Sequence, residues 1–441
     1  MRRYDAAMRF LGVGHDVDLG ALYLRLVARG HEVRVVADDP ASADVLRSLL
    51  TFEDDLERGL AWVEDAGPDG CVLFEGIGWG ALQDRLRTKG VAVLGGSALG
   101  DRLEGERTFG QSLLADVGLR VAGSHRFDAF DKAIDFVRER KGRYVLKYET
   151  TGFSCARTYV GELDDGVDLI AALEVQRDLW SLPERPPIVL MERVTGVEVG
   201  VGAWFDGARF LRPANLDWEH KRFFPGDLGE MTGEMGTLVT YRGAESLFDA
   251  TLARLSPALK TSGYVGYVNL NMIVNDDGPW PLELTCRFGY PGYAILGALH
   301  REPWDDVFAR VLKGDTEIPT YDGWAIGVAL TVPPFPHRHG YAQLSKGTAI
   351  ALHPSWSRDD AEHLHWGEVD RSDAGPFVTR GVVGYVAVVT ARGNTVEATQ
   401  HDVYARARKV IVPNMRYRND IGNRFLATDR RELIRLGWLA P

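Results

Sequence analysis

Glu219-His220-Lys221-Arg222, then Asp227, then Thr232-Gly233-Glu234-Met235-Gly236, and further on Glu283-Leu284-Thr285-Cys286-Arg287-Phe288-Gly289: these stretches decide the fold. The first packs charge and glycine into what reads as a loop suited to a mobile anionic substrate. The second puts Glu283, Thr285 and Arg287 at alternate positions of a predicted strand, which sends all three side chains to one face. A carboxylate, a hydroxyl and a guanidinium on one face can hold a metal ion and a transferring phosphoryl group.

Working outward, 441 residues exceed one ordinary core and suggest roughly two to four domains or subdomains. An apolar fraction of 45% and a charged fraction of 26% are those of a soluble globular protein. No apolar run approaches the roughly 20 residues that span a bilayer. The N-terminus MRRYDAAMRFLGVG starts basic, but it runs on into a strand and glycine turn, so no signal peptide is expected. Cys71, Cys155 and Cys286 lie far apart and in no metal spacing, which favours a reduced, cytoplasmic setting. A net charge of −11 gives no strong case for nucleic-acid binding. Arg406, Arg408, Lys409, Arg416, Arg418 and Arg424 make the C-terminal segment locally basic. They read either as a solvated helix face or as a contact surface for an anionic substrate.

Along the chain, residues 8–14 read as a buried strand, with Gly12 and Gly14 turning into a helix over 18–29, and HEVRVVAD as the next strand. That is a βαβ unit. CVLFEG (71–76), a helix near 80–89 and VAVLGG (91–96) continue it, so a parallel-sheet domain is expected over 1–97. One helix is expected over 104–117 and strands at 144–149 and 188–194. Two strands and a long loop are expected over 196–240, and a helix over 244–262. A strand VGYVNLNMIV then turns at Asn275-Asp276-Asp277-Gly278. From about 322 the chain turns strand-rich (WAIGVALTV, VVGYVAVVTARG), with a helix near 395–409.

The two opening segments resemble phosphoribosylamine–glycine ligase (glycinamide ribonucleotide synthetase), an ATP-grasp family. The family carries a DHKR…D.GPNTGGMG run and an EFNCRFG run, where this chain reads EHKR…DLGEMTGEMG and ELTCRFG. Leu103-Glu104-Gly105-Glu106-Arg107-Thr108-Phe109 is similar to the family's LEGSKAF, and Arg418-Asn419-Asp420-Ile421-Gly422 to its RKDIG. Four collinear matches cover most of the chain. The resemblance implies an α/β protein of ATP-grasp fold. Its parts would be an N-terminal βαβ parallel-sheet domain (1–97), an ATP-binding and catalytic module (98–320) and a C-terminal strand-rich α+β domain (321–441).

It also implies site residues. Lys147, ending the strand YVLK, falls at the nucleotide-phosphate lysine, and Arg107 at a second phosphate-contacting cation. Without the resemblance, each reads as a surface cation. Gly152, Ser154 and Arg157 would sit in the adjoining phosphate loop. Glu192, Arg193 and Val194 fall at the adenine-binding hinge, and Glu198 at the acid that holds the ribose hydroxyls. Glu283 stands at the principal metal ligand. Thr285 replaces the family's asparagine, and Asn271 occupies the earlier ligand position. Magnesium is the expected ion, with manganese as a substitute, since hard oxygen ligands and incomplete protein coordination suit it. Arg287 would stabilise the phosphoryl-transfer transition state, with Lys221, Arg222 and Asp227 as further catalytic residues. Gly14, His15, Asp16, His220, Thr232, Gly233, Glu234, Met235 and Gly236 would bind substrate.

Three departures stand out. Glu234 replaces the second glycine of TGGMG, where substrate specificity would be read. Thr285 replaces a metal-binding amide. The family's opening GxGGREH becomes Gly12-Val13-Gly14-His15-Asp16-Val17-Asp18, and the strand after it ends Phe74-Glu75-Gly76. Acids there would repel a sugar phosphate; alternatively Asp16 and Asp18 simply cap the following helix. His337, His339, His363 and His365 show no metal spacing, and the last two are expected in an exposed loop. The expected activity is an ATP-dependent carboxylate–amine ligase, diverged from the family enzyme, acting on small-molecule carboxylate and amine substrates. The alternatives are an authentic phosphoribosylamine–glycine ligase and a nucleotide-binding protein without catalysis. A monomer or homodimer, cytoplasmic and off the membrane, is expected. Segments 150–157 and 222–236 are candidate lids.

Overall fold

The computed structural model describes residues 7–149, 158–179 and 187–440. The expected phosphate loop, with Gly152, Ser154, Cys155 and Arg157, lies outside the described residues. Alternating strands and helices at the N-terminus build a five-stranded parallel sheet. Its order is Thr51–Phe52, Glu32–Ala37, Arg9–Gly14, Gly70–Phe74 and Ala92–Leu94. Its central strands are buried on both sides, as the uninterrupted apolar runs FLGV and CVLF require.

A small antiparallel sheet follows, ordered Ser124–Phe127, Ile188–Glu192, Tyr144–Tyr148 and Tyr159–Val160. Helices Phe130–Arg140 and Val167–Leu179 accompany it, the former burying Phe130, Ile134 and Val137 against Leu146 and Leu190. Beyond it lies an eight-stranded sheet, ordered 278–285, 265–275, 197–206, 215–219, 236–240, 324–331, 385–393 and 364–366. Gly236–Thr240 pairs antiparallel with Trp324–Thr331, so this sheet runs unbroken across position 320.

Some elements differ from the sequence reading. The helix expected over 104–117 is two, Ala98–Gly105 and Arg107–Asp116, because Glu106 takes extended backbone. That break starts a new helix at Arg107. Segment 196–240 holds more than two strands: Arg222–Phe224 and Leu228–Met231 form a hairpin of their own inside the expected loop. The stretch 244–262 is also broken, into Glu245–Ala250, a tight turn over Leu252–Leu255 and Ser256–Thr261. His365 is buried on a strand, not in an exposed loop, and both it and His363 meet the Thr390 hydroxyl. No helix among the described residues is long and apolar enough to cross a membrane.

Four of the C-terminal cations are partnered inside the protein. Arg406 and Lys409 clasp Asp360, Arg418 is buried between Asp227 and Asp420, and Arg424 reaches Asp227 and Asp429. These four tie segments together, Arg416 donates to the Phe335 carbonyl, and Arg408 is exposed.

The parallel sheet docks on the long strand Val265–Asn275 through close backbone contact, with the Arg87 side chain also donating to the Val265 carbonyl. Gly95 N–H donates to the Val265 carbonyl at 3.1 Å, and a Cβ on Gly266 would stand 2.2 Å from the Gly95 carbonyl oxygen. Two rigid elements meet there, so neither can give way cheaply. Gly266→Ala is expected to destabilise the protein by about 1–3 kcal/mol, measured as a fall in the denaturant midpoint. An unchanged midpoint would mean the docking is looser than this contact.

Candidate active site

A cavity of about 860 Å³ opens between the small sheet and the eight-stranded sheet. Strand Tyr144–Tyr148 delivers Val145 and Lys147 to it, and the end of Ile188–Glu192 delivers Met191, Glu192, Arg193 and Val194. From the large sheet come Ile273 and Leu282, so apolar side chains face the cavity from both sheets. Strand Gly278–Thr285 and its continuation bring Glu283, Thr285 and Arg287 to the cavity, while Cys286 and Phe288 are buried behind them. The two-residue period thus puts the three polar groups on one wall.

Charge converges on Glu283. Its carboxylate accepts from Lys221 Nζ at 2.9 Å and lies 3.7 Å from Lys147 Nζ and 3.6 Å from Arg107. Lys221 and Lys147 hold the Glu283 carboxyl well below the usual range, against the effect of burial. Lys221 is also paired with Glu219 at 3.0 Å and Glu198 at 3.7 Å. Burial pulls its pKa down, but Glu219, Glu283 and Glu198 outweigh that and leave it well above the ordinary lysine value. Lys147 has no such surplus: burial lowers it to about 8, with Glu283 opposing.

Arg287 is clamped from behind. Its Nε donates to Glu104 Oε1 at 2.9 Å, and Cys286 N–H donates to Glu104 Oε2 at 2.8 Å. Glu104 lies on the helix Ala98–Gly105 that follows the N-terminal sheet, so the guanidinium is aimed from two segments.

The remaining expected residues divide. Glu198, Arg222, Asp227, Thr232, Gly233 and Glu234 also line the cavity. Asp227 accepts from Arg418 at 2.8 Å and lies 3.3 Å from Arg424, and the Thr232 hydroxyl donates to the Lys221 carbonyl. His220, Met235 and Gly236 do not face it. His220 is buried, with Nδ1 at 3.1 Å from the Trp218 carbonyl and Nε2 accepting from Gly422 N–H, and burial lowers it to about 4. Met235 packs with Phe223 and Phe335. A Cβ on Gly236 would meet the Gly327 carbonyl at 2.4 Å. These residues pack the hairpin against the C-terminal strands.

The N-terminal residues Gly14, His15 and Asp16 stand at the end of the first strand. His15 Nδ1 is 2.7 Å from Asp38, and Asp16 accepts from the Ser42 hydroxyl. Neither Asp16 nor Asp18 caps the following helix, whose first turn has no side-chain cap. The two aspartates, expected as helix caps, are not caps. Gly14 leaves room for Glu75, whose carboxylate accepts from Tyr23 and from the backbone of Asp18. Burial and then Asp16 raise Asp18 to about 7, with Arg287 opposing; burial and then Asp18 raise Glu75 to about 8. Acid therefore faces Arg287 from the N-terminal sheet.

For a metal, no three His, Cys, Asp or Glu side chains form a ready cage among the described residues. Magnesium does not require one: it keeps several waters and takes one or two carboxylates plus substrate phosphates. Asn271 lies across the strand pair from Glu283 and donates to Glu198 at 2.9 Å, while its buried Oδ1 has no partner. Glu283, Thr285 and that orphaned oxygen fit a magnesium ion.

Sequence reasoning missed Asn215, Asp217, Tyr267 and Asn269, which all line the cavity. The signal was present as polar residues at alternate positions in apolar strands: N-L-D-W-E over 215–219 and N-L-N over 269–271.

The chain is similar to known proteins over most of its length. Residues 105–293 match the family described as phosphoribosylglycinamide synthetase, ATP-grasp (A) domain. Phosphoribosylamine–glycine ligase of Vibrio parahaemolyticus is 26% identical over 360 residues, 79% of this chain and 81% of its own. That of Nostoc sp. is 27% identical over 353 residues, 78% and 81% of the two chains. The crystal structure of phosphoribosylamine–glycine ligase from Thermotoga maritima superposes with a TM-score of 0.71 at 22% identity, covering 94% of this chain and all (100%) of that one.

The Lys147 shift gives a pH prediction. As pH rises through about 8, Lys147 loses its proton, and affinity for a nucleotide triphosphate should fall. Loss of one charged hydrogen bond predicts a weakening of about ten-fold or more. Titrating a non-hydrolysable ATP analogue between neutral and alkaline pH measures it. Lys147→Arg, which stays charged, should flatten the profile; an unchanged slope in that variant would assign the dependence elsewhere.

Proposed function

As the chain is a diverged, low-identity member of the ATP-grasp family of phosphoribosylamine–glycine ligase, we propose that it is an ATP-dependent carboxylate–amine ligase. It releases ADP and phosphate and joins an amino acid to an amine or nucleotide-like acceptor. The observation that carries this reading is the gathering of Arg107, Lys147 and Lys221 around Glu283, with Arg287 on the same wall of one cavity.

In this reading Val145, Met191, Val194 and Leu282 sandwich the adenine, and Glu198 takes the ribose hydroxyls. Lys147 and Arg107 turn from Glu283 to the phosphates, exchanging one anion for another. Magnesium, held by Glu283, Thr285 and Asn271, would neutralise phosphate charge. Arg287, fixed by Glu104, faces the substrate carboxylate oxygen that attacks the γ-phosphorus, forming an acyl phosphate as the bond to ADP breaks. The amine then attacks the acyl carbon, phosphate leaves, and the amine's proton passes to solvent or a nearby carboxylate. Positioning both reactants supplies much of the rate, and excluding water protects the acyl phosphate.

ADP release with Mg-ATP and glycine, with and without freshly generated phosphoribosylamine, followed by mass analysis of the product, tests this. A requirement for another amine is the expected outcome. Glycinamide ribonucleotide as product would make this a purine enzyme, and ADP release under no substrate panel would sink the ligase reading. Glu283→Gln should abolish ADP formation while leaving a folded protein. Arg287→Lys, which keeps a cation on buried Glu104, should lower kcat by about ten-fold or more with little change in ATP affinity. Normal turnover in either variant would remove that residue from the chemistry.

A further inference from the structure

Part of the cavity wall is built unlike the phosphate end. The strand Val197–Asp206 runs in the middle of the large sheet and carries glycine at the alternate positions 200 and 202. Polar side chains from its two neighbours lie over that bare strip. A Cβ on Gly200 would fall 2.1 Å from Asp217 Oδ1, and one on Gly202 would fall 1.9 Å from the Tyr267 hydroxyl. The sheet is therefore shaped around these groups.

Their hydrogen bonds leave one kind of group over. Asp217 Oδ2 accepts from Asn215 Nδ2 at 2.9 Å and Asn269 Nδ2 at 2.6 Å. The Tyr267 hydroxyl donates to Asn215 Oδ1 at 2.9 Å. The Thr237 hydroxyl donates to Glu234 Oε1. Among the described residues, nothing donates to Asp217 Oδ1, Glu234 Oε2 or Asn269 Oδ1, although these residues are only 5%, 9% and 7% exposed and all line the cavity. The Asn269 amide and Tyr267 hydroxyl donors are used inside the cluster, and the groups left without a donor are oxygens of cavity-lining residues. No cation is paired with Asp217 or Glu234 among the described residues. Lys221, the nearest lysine, is bonded to Glu283 and paired with Glu219 and Glu198, and Arg287 is held by Glu104.

We propose that Asp217, Glu234 and Asn269 form a subsite for the protonated primary amine of an organic substrate, whose three N–H donors match the three unpaired oxygens. Uncompensated carboxylates buried together are costly, and an ammonium group removes that cost. The charges behave accordingly: burial and then Glu219 raise Asp217 to about 7, and burial, Glu219 and Asp217 push Glu234 well above the carboxylate range, with Lys221 and Arg287 opposing. An arriving cation lowers both, so its binding expels protons near neutral pH. The subsite rests on the ligase reading only for its place beside Arg287, which stays free to face the substrate carboxylate. It also gives a role to Glu234, the departure in the glycine-rich loop.

The test is calorimetric titration of the Mg-ADP-loaded protein with two matched pairs, glycine against glycolate and 1,4-diaminobutane against 1,4-butanediol. At least one amine should bind and its alcohol or hydroxy-acid counterpart should not. Proton release should appear when buffers of different ionisation enthalpy are compared at pH 6.5. Asp217→Asn and, independently, Glu234→Gln should each weaken the amine by about ten-fold or more, so misfolding of one variant leaves the other to decide. Equal binding of both members of each pair, binding by none of the four, or unchanged affinity in both variants would overturn the subsite. ADP release is followed in parallel. Amine binding without ADP release supports the subsite and sinks the ligase reading alone; ADP release with glycolate but not glycine spares the ligase and sinks the subsite.

Discussion

A lysine ammonium enclosed by carboxylates holds this site together. Lys221 follows the strand Asn215–Glu219 and is paired with Glu219 beside it, Glu198 on the neighbouring strand and Glu283 further across the sheet. Enclosed charge is tolerated only when paired, so the three strands must keep their register for the lysine to remain satisfied. The same residue's backbone carbonyl accepts from the Thr232 N–H and hydroxyl, which pins the hairpin that closes one side of the cavity. Replacing Lys221 would leave three acids facing each other and loosen that hairpin.

The N-terminal sheet is coupled to this arrangement at two points. Backbone contact at Gly95 and Gly266 fixes its position on the large sheet, and Glu104, just beyond it, orients Arg287. Asp18, from the helix entry of the same sheet, adds negative potential at Arg287 from the other direction. Glu104 thus ties the orientation of the arginine to the segment that follows the N-terminal sheet.

Much of this was legible in the chain. The alternation of Glu283, Thr285 and Arg287 gave their common face, and β-strand geometry alone guarantees it. The βαβ pattern of the first strands gave the parallel sheet. Boundaries fared worse where a local preference was overridden. Helical propensity continues through Glu106, yet the backbone extends there and a fresh helix begins at Arg107. The glycines and charges of 222–236 look like an open loop, yet pairing between Arg222 and Met231 makes a hairpin. His220 and Met235 sit among residues that do reach the cavity, but His220 meets Gly422 and Met235 packs with Phe335, partners supplied by the distant C-terminal segments.

What the sequence determined by itself was the fold class and the common face of Glu283, Thr285 and Arg287, since strand period is a local property. What only the tertiary structure decided was which distant residues share a wall. Asn215, Asp217, Asn269 and Glu234 come from separate strands and a loop, and nothing in their spacing announces that two glycines on a third strand make room for them. Strand order in an antiparallel sheet is set by long-range packing and not by neighbours in the chain. The acceptor-only surface on which substrate choice is proposed to rest therefore exists only after the sheet has assembled.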